Sequence, residues 1–382
     1  MLEDYLNAKP LYYDEIDYTR MPRVYESIKN KLHIPKIIHL IGTNGKGTTG
    51  RFLASALYTL GFKVGHYTSP HILEFNERIW LNGKVVSNES LEETHIKLLN
   101  ILSKESADSL SYFEYTTLLA ILIYADVDYI ILEAGLGGEH DATSVFPNIL
   151  TLVTPIDRDH EAFLGETIQE IATTKLNAIQ KRVILGNQTH NEVYEIVDKI
   201  SKSKGITAEK FSILLEAIDY EKIENIAKEN DLPQYLRENL MLSISALKAL
   251  GIEYKTDSFT NSRLFGRLTK LSENVIIDVG HNSLAANSIV KSLSPHKYTL
   301  IYNSYKDKNY KEILRTLKPI IKDVEIIEIE DDSRVEELLI MKETVEELGF
   351  KYKLFKEIVP ENNYLVFGSF SVAEAFLKVY NG

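Results

Sequence analysis

"IHLIGTNGKGTTGRF", residues Ile38–Phe52, holds the strand, turn and helix start from which the fold can be read. The apolar run KIIHLI (36–41) predicts a buried strand, and Lys46–Leu60 predicts a helix with Phe52, Leu53, Ala56 and Leu57 on one face. FKVGHY (62–67) predicts the next strand, so the stretch opens a parallel βαβ unit. Gly42, Gly45 and Gly47 fall in the turn. Glycines let backbone N–H groups converge on one point, and the helix N-terminus adds positive potential there. Lys46 supplies a full charge, and Thr48 and Thr49 supply hydroxyls able to face a metal. That is the chemistry of a phosphate-binding loop, but the GxxxxGK[ST] pattern is broken twice. Gly47 follows Lys46 where a hydroxyl residue is usual, and Leu40 stands six positions before the lysine. A glycine-rich turn with a solvated lysine is the plainer alternative. The preceding strand, the lysine and the hydroxyls together favour phosphate.

Outward from this unit the alternation continues. Helices over 91–102 and 115–125 precede strand DYIILE (128–133). Strand NILTLVT (148–154), a helix over 167–179 and strand RVIL (182–185) follow. A polar stretch, 221–233, leads to a helix over 235–250, and the turn-rich segment 251–267 places a domain boundary near Thr260. Beyond it, strands NVIIDV, YTLIYN, VEIIEI, YKLF and YLVFG alternate with helices over 284–293, 310–317, 334–348 and 371–380. The expectation is an α/β chain. Residues 1–260 form a domain with a mostly parallel sheet, and residues 261–382 form a smaller Rossmann-like α/β domain. A length of 382 residues suits two cores.

The 43 basic against 55 acidic residues give a net charge of −12, which disfavours nucleic acid as a partner. There is no cysteine, so disulfides, thiolate metal sites and a cysteine nucleophile are excluded together. No apolar run reaches the roughly 18 residues of a membrane span, and the acidic, aromatic N-terminus is unlike a secretory signal. A cytoplasmic protein without membrane partners is expected.

Several polar residues sit where strands end. Glu133 closes DYIILE and precedes glycines 135, 137 and 138, as an acid near phosphate-bound Mg²⁺ would. Its plain alternative is an exposed strand-end carboxylate. Asp141 is a second polar contact or a turn cap, and Asp159 and His160 follow the strand NILTLVT. A lone histidine there is more often a structural hydrogen bonder. Lys175 falls mid-helix, normally the place of a solvated charge. Ser69 and Arg78 follow FKVGHY, a hydroxyl for Mg²⁺ and a guanidinium for a carboxylate, or simply a turn former and a surface charge. Arg267 lies near the domain boundary. Asp278, His281 and Asn282 end the first strand beyond it, where α/β ligands bind or where ordinary caps occur.

GTNGKGTT, YTSPH…FNERI, YFEYTTLLA, EAGLGG…DAT, DHEAFLG, IATTKLNAI, FGR and DVGHN occur in one order, and the pattern extends to GSFSVAEA near the end. Together they resemble the folylpolyglutamate synthase/dihydrofolate synthase family of Mur-type ligases. The resemblance implies an N-terminal P-loop ATPase domain and a C-terminal Rossmann-like ligase domain. It implies ATP and one or two Mg²⁺ ions as cofactors, with dihydropteroate or a folate and L-glutamate as substrates. ATP would phosphorylate the pterin-linked carboxylate, and the glutamate amine would displace phosphate from the acyl phosphate. In that family the loop reads GTNGKG[ST], so Gly47 is its normal form. Gly42, Thr43, Asn44, Gly45, Lys46, Gly47 and Thr48 would cradle the nucleotide, with Asn239, Arg267 and Asp278 around it. Thr48, Ser69, Glu133, His160 and Lys175 would serve the metal, Lys175 as a carbamate. Arg78, Asp141, His281 and Ser369 would lie near folate and glutamate, and Lys46, His160, Lys175 and Arg78 would act in catalysis. Family members are usually monomers.

Three motifs depart from the family pattern. GGRxDATN is GGEHDATS here, EKAG around the modified lysine is TKLN, and DGAHNP is DVGHNS, so Glu139 replaces an arginine and Ser283 a proline. Other readings compete. A Mur-type ligase of peptidoglycan precursors would need a nucleotide-sugar domain before the ATPase domain, and 41 residues precede Gly42. A P-loop GTPase would need an NKxD-like motif. An ATP-binding scaffold without ligase activity would not need Lys46, Glu133 and His160 together. The SYFEYTTLLA stretch resembles bifunctional bacterial members of the family, which implies activity on both acceptors.

Overall fold

The computed structural model describes residues 1–11, 17–329 and 334–381. The chain divides into two compact units, residues 1–232 with 236–262, and residues 233–235 with 263–382.

The first unit is built on eight strands: β1 (Lys36–Ile41), β2 (Val64–Tyr67), β3 (Ile79–Leu81), β4 (Lys84–Val85), β5 (Tyr129–Glu133), β6 (Leu150–Val153), β7 (Arg182–Leu185) and β8 (Thr207–Lys210). Their order is β4-β3-β2-β5-β1-β6-β7-β8. All pairings are parallel except the β2–β3–β4 edge. A strand buried on both faces must be apolar throughout, and β1 is, from Ile37 to Ile41, apart from His39. One apolar cluster includes Leu98, Leu118, Ile130 and Leu132. Another includes Ile41, Val153, Ile171 and Val197. Parallel register brings strand C-termini together: Leu40 is opposite Glu133, Ile41 opposite Val153, and Tyr67 opposite Leu132. The phosphate-type loop, Thr68–Ser69, Glu133 and Thr154 therefore lie on one sheet edge, as α/β ligand sites do.

The second unit has β9 (Thr269–Ser272), β10 (Val275–Ile277), β11 (Tyr298–Tyr302), β12 (Ile321–Ile326), β13 (Tyr352–Leu354) and β14 (Tyr364–Phe367), ordered β13-β12-β11-β14-β10-β9. Only β9 is antiparallel. Its core gathers Leu300, Ile313, Val324, Met341 and Phe367.

Some elements differ from the sequence reading. The stretch read as polar, 221–233, lies largely in helix Ala217–Glu229, which buries Ile223, Ile226 and Ala227 at helical spacing among its charges. Helix Asn191–Lys204 likewise buries Val193, Val197 and Ile200, and the β3–β4 hairpin, β8 and β9 were not anticipated. Strand β12 begins three residues earlier than VEIIEI, because Ile321 takes the register with Tyr298. The helix expected over 334–348 runs Leu338–Glu347. Among the described residues, no helix is long and apolar enough to cross a membrane.

Candidate active site

The loop after β1 turns through Gly42 (φ 138°) and Gly45 (φ 90°), left-handed values that favour glycine. A Cβ on Gly42 would collide with Thr154, and one on Gly45 with the Asn239 amide. Asn239, expected beside the nucleotide, is thus buried against the loop itself. Helix Lys46–Thr59 starts with Gly45 as its N-cap and no side-chain cap, so its first N–H groups are left for another acceptor. Thr48 and Thr49 bury hydroxyls that have no hydrogen-bond partner. Lys46 Nζ folds back onto Gly42 O (3.1 Å) and Thr43 O (3.2 Å) and stands 4.0 Å from Glu133 Oε1.

Glu133 is buried, not an exposed strand-end acid. Its Oε2 accepts from the Thr68 hydroxyl and from Ser69 N (3.4 Å), which leaves Oε1 as the oxygen toward Lys46. Ser69, expected at the metal, therefore meets Glu133 through its backbone. Thr68 had no special mark in the sequence; its role depends on a partner 65 positions away.

Lys175 contradicts the surface-charge reading. Helix Ile168–Leu176, opened by a Thr167–Glu170 capping box, buries it at 4% exposure. Burial, and then the nearby charge of Lys46, push its ammonium down to about 7, although Asp159 and Asp141 pull the other way. The glycine loop after β5 docks on this helix: Gly138 leaves no room for a side chain against the Lys175 backbone, and Glu139 N donates to Thr174 O (2.9 Å). Two departures from the family pattern meet here, since Asn177 Nδ2 donates to Glu139 Oε2 (2.8 Å).

His160 sits in a left-handed conformation (φ 54°) at the start of helix Glu161–Leu164, and its N–H donates to Asp159 Oδ1 (2.9 Å). Asp141 is buried, and its carboxylate accepts from Leu136 N (2.8 Å), Thr143 N (3.0 Å) and the Thr143 hydroxyl (2.5 Å). Burial raises its pKa against those hydrogen bonds. In this arrangement Asp141 shapes the loop. Arg78 is buried rather than a surface charge: its Nε donates to His71 Nδ1 (2.8 Å), and the guanidinium lies 5.2 Å from the centre of the Tyr112 ring.

Among the described residues, no three His, Asp or Glu side chains form a group that could hold a metal ion. The expected set contains only Glu133 and His160 of those types. A hard cation there would draw on hydroxyls and phosphate oxygens as well, and the partnerless Thr48 hydroxyl suits that donor set.

In the second unit, the C-terminal ends of β10 and β14 lie side by side, joined by Gly368 N to Gly280 O (3.1 Å). Asp278 is buried there and accepts from Leu268 N (2.8 Å), Gly280 N (2.8 Å) and the Tyr235 hydroxyl (3.1 Å). Burial raises its pKa, opposed by Arg267. The Arg267 guanidinium lies 5.6 Å from the Phe370 ring centre, and the His281 ring is 6.3 Å from the same ring. Ser369 is buried and caps the last helix, accepting from Val372 N (3.1 Å). Four residues spread over 103 positions thus gather around Gly280, Gly368 and Phe370.

No protein-family model matches the chain. The dihydrofolate synthase/folylpolyglutamate synthase of Bacillus subtilis is 31% identical over 328 residues, covering 75% of this chain and 74% of that protein. The Escherichia coli K12 protein of the same name is 31% identical over 310 residues, covering 76% and 72%. Among solved structures, Helicobacter pylori folylpolyglutamate synthetase superposes with a TM-score of 0.80 at 39% identity, covering 100% of this chain and 98% of that one. E. coli FolC in complex with DHPP and ADP superposes with a TM-score of 0.80 at 26% identity, covering 99% and 96%.

Proposed function

This chain belongs to the dihydrofolate synthase/folylpolyglutamate synthase family of ATP-dependent ligases, and from that premise we propose how its own residues add L-glutamate to a pterin-linked carboxylate. The observation that carries the reading is the charged pair at the uncapped helix. Lys46 and Glu133 stand 4.0 Å apart beside an N-terminus that has no cap.

A carboxylate is a poor electrophile, so ATP must first convert it to an acyl phosphate. Charge then develops on the transferred phosphoryl oxygens, and donors already aimed at them lower the barrier. The N–H groups that open helix Lys46–Thr59 and the Lys46 ammonium are such donors. Lys46 must first release the carbonyls of Gly42 and Thr43. Thr48, Ser69, Glu133 and His160 are the residues that would hold Mg²⁺, which supplies positive charge to the phosphates when bound. Arg78, His281 and Ser369 are assigned to the carboxylates of folate and glutamate, and Arg267, Asp278 and Asn239 to the nucleotide. The glutamate amine then attacks the acyl carbon, forming the amide as the carbon–oxygen bond to phosphate breaks.

Lys175 is assigned a carbamate. Burial holds its amine near neutrality at physiological pH, as attack on CO₂ requires. The uncharged amine adds to CO₂: a nitrogen–carbon bond forms as one carbon–oxygen π bond opens, one proton leaves, and the buried neutral amine becomes an anion near Lys46. Carbon from ¹³C-bicarbonate should appear on this residue and no other lysine.

The reaction suits a monomer in the cytoplasm, with 7,8-dihydropteroate and reduced folates both as acceptors. With Mg²⁺, ATP and L-glutamate present, each acceptor should raise phosphate release above background. No stimulation by either would refute the assignment, and stimulation by one alone would limit it to a single activity.

A further inference from the structure

The segment Thr154–Asp157, between β6 and His160, is gripped from two sides. On one side it holds the phosphate loop. Pro155 O accepts from Thr43 N (2.9 Å) and Asn44 N (3.3 Å). The Thr43 hydroxyl donates to Asp157 O (3.0 Å) and accepts from Asp157 N (3.0 Å). The loop is therefore in two halves: Thr43 and Asn44 spend their N–H groups on a protein carbonyl, while Gly45 onward opens the uncapped helix.

On the other side the segment is held by the turn after β7. Gln188 Oε1 accepts from Ile156 N (2.9 Å), and its Nε2 donates to Thr154 O (3.2 Å) and Gly186 O (3.2 Å). Gln188 is itself fixed, since its backbone N donates to the Tyr194 hydroxyl (3.0 Å). His190 Nε2 donates to Asp157 Oδ1 (2.9 Å). Neither residue belongs to the expected nucleotide or metal set.

We propose that Gln188 and His190 are positioning residues for the phosphate end of the nucleotide, acting through residues 154–157. The direction of the open N–H groups is set by the anchored half of the loop. The anchored half is set by Pro155 O and Asp157, and these are set by Gln188 and His190. An N–H cradle that must be reordered at each binding event loses affinity to conformational entropy, whereas a clamped one does not. The effect belongs to ATP and ADP, because nothing in this chain of contacts leads to the residues assigned to glutamate. The inference rests on the ATP-binding reading above.

The test is calorimetric binding of ADP with Mg²⁺ to the full chain and to Gln188→Leu, His190→Leu and His190→Gln, with melting temperatures alongside. Gln188→Leu removes three side-chain hydrogen bonds and should weaken ADP about tenfold; His190→Leu should weaken it about threefold. His190→Gln keeps a donor for Asp157 and should stay within about twofold of the parent protein. KM for ATP should rise in the two leucine variants while KM for L-glutamate holds. The inference is overturned if both leucine variants keep parental ADP affinity, even with lowered melting temperatures, or if His190→Gln loses as much affinity as His190→Leu. Should Gln188→Leu fail to fold, the His190 pair decides. If the parent protein binds no ADP, the ATP reading falls and this inference with it.

Discussion

Replacing Lys175 by methionine should make this protein more stable at neutral pH, because the fold now pays to keep an amine dry. In the unfolded chain the amine keeps its ordinary value near 10.5, while in the fold burial brings it to about 7. At about 1.4 kcal/mol per pH unit, that gap sets an upper bound of about 5 kcal/mol on the penalty. The sign follows from proton binding. Between pH 7 and 10.5 the unfolded chain holds a proton that the fold lacks, so parental stability rises with pH across that window. The penalty is full below pH 7 and gone above 10.5. Methionine has a similar shape and no charge, so Lys175→Met should exceed the parent by several kcal/mol at pH 6, with the two converging by pH 10. Urea unfolding followed by circular dichroism, in CO₂-free buffer at pH 6, 8 and 10, measures the gap. A variant less stable than the parent at pH 6, or a gap that does not shrink with pH, refutes the assignment of a buried, near-neutral amine. Added bicarbonate separates the carbamate from the bare amine. It should stabilise the parent alone, because CO₂ would add to the folded amine only.

Two other residues give further tests. Thr68→Val should weaken Mn²⁺ binding in the presence of ADP about tenfold, with Thr68→Ser close to the parent, because the hydroxyl fixes which Glu133 oxygen faces Lys46. Equal free-Mn²⁺ signals by electron paramagnetic resonance in the valine variant and the parent would refute that. Asp219 is buried, which pushes its carboxyl up, but hydrogen bonds from Lys248 Nζ (2.6 Å), the Tyr254 hydroxyl (2.7 Å) and Glu216 N (2.8 Å) outweigh burial and hold it below its ordinary value. Its contribution is therefore present above about pH 4 and lost as pH falls through the folded value. Asp219→Asn should cost about 1–3 kcal/mol at pH 7 and flatten the acid side of the stability profile. A variant with the parental profile would contradict this.

Elements with a strong apolar period are legible in the sequence itself. KIIHLI and RVIL occupy the strands expected, and helix Lys46–Thr59 ends one residue short of its expected limit. Helix Ala217–Glu229 was not, because its three buried apolar residues are diluted by charged neighbours that a local reading counts as loop. In the candidate site, the loop glycines and Lys46 could be picked from composition and spacing, since backbone freedom and charge are properties of the residues themselves. Ser369 is assigned only through family resemblance, whereas His281 is also marked by its place at a strand end. Thr68, Gln188 and His190 had no signal, because a hydroxyl, an amide or an imidazole acquires a role only from what it meets.

Sequence by itself determined the strand–turn–helix of the phosphate loop, the two runs of α/β alternation and the order of the family motifs. Those depend on backbone preference and hydrophobic period within a dozen residues. Only the tertiary structure decided that Lys175 is buried and near neutral, that Glu133 turns Oε1 toward Lys46, and that Thr43 is tied to Asp157. Each is set by groups distant in sequence, 65 positions apart for Thr68 and Glu133 and 114 for Thr43 and Asp157. Desolvation and hydrogen-bond geometry are sums over such neighbours, and they exist only once the chain has folded.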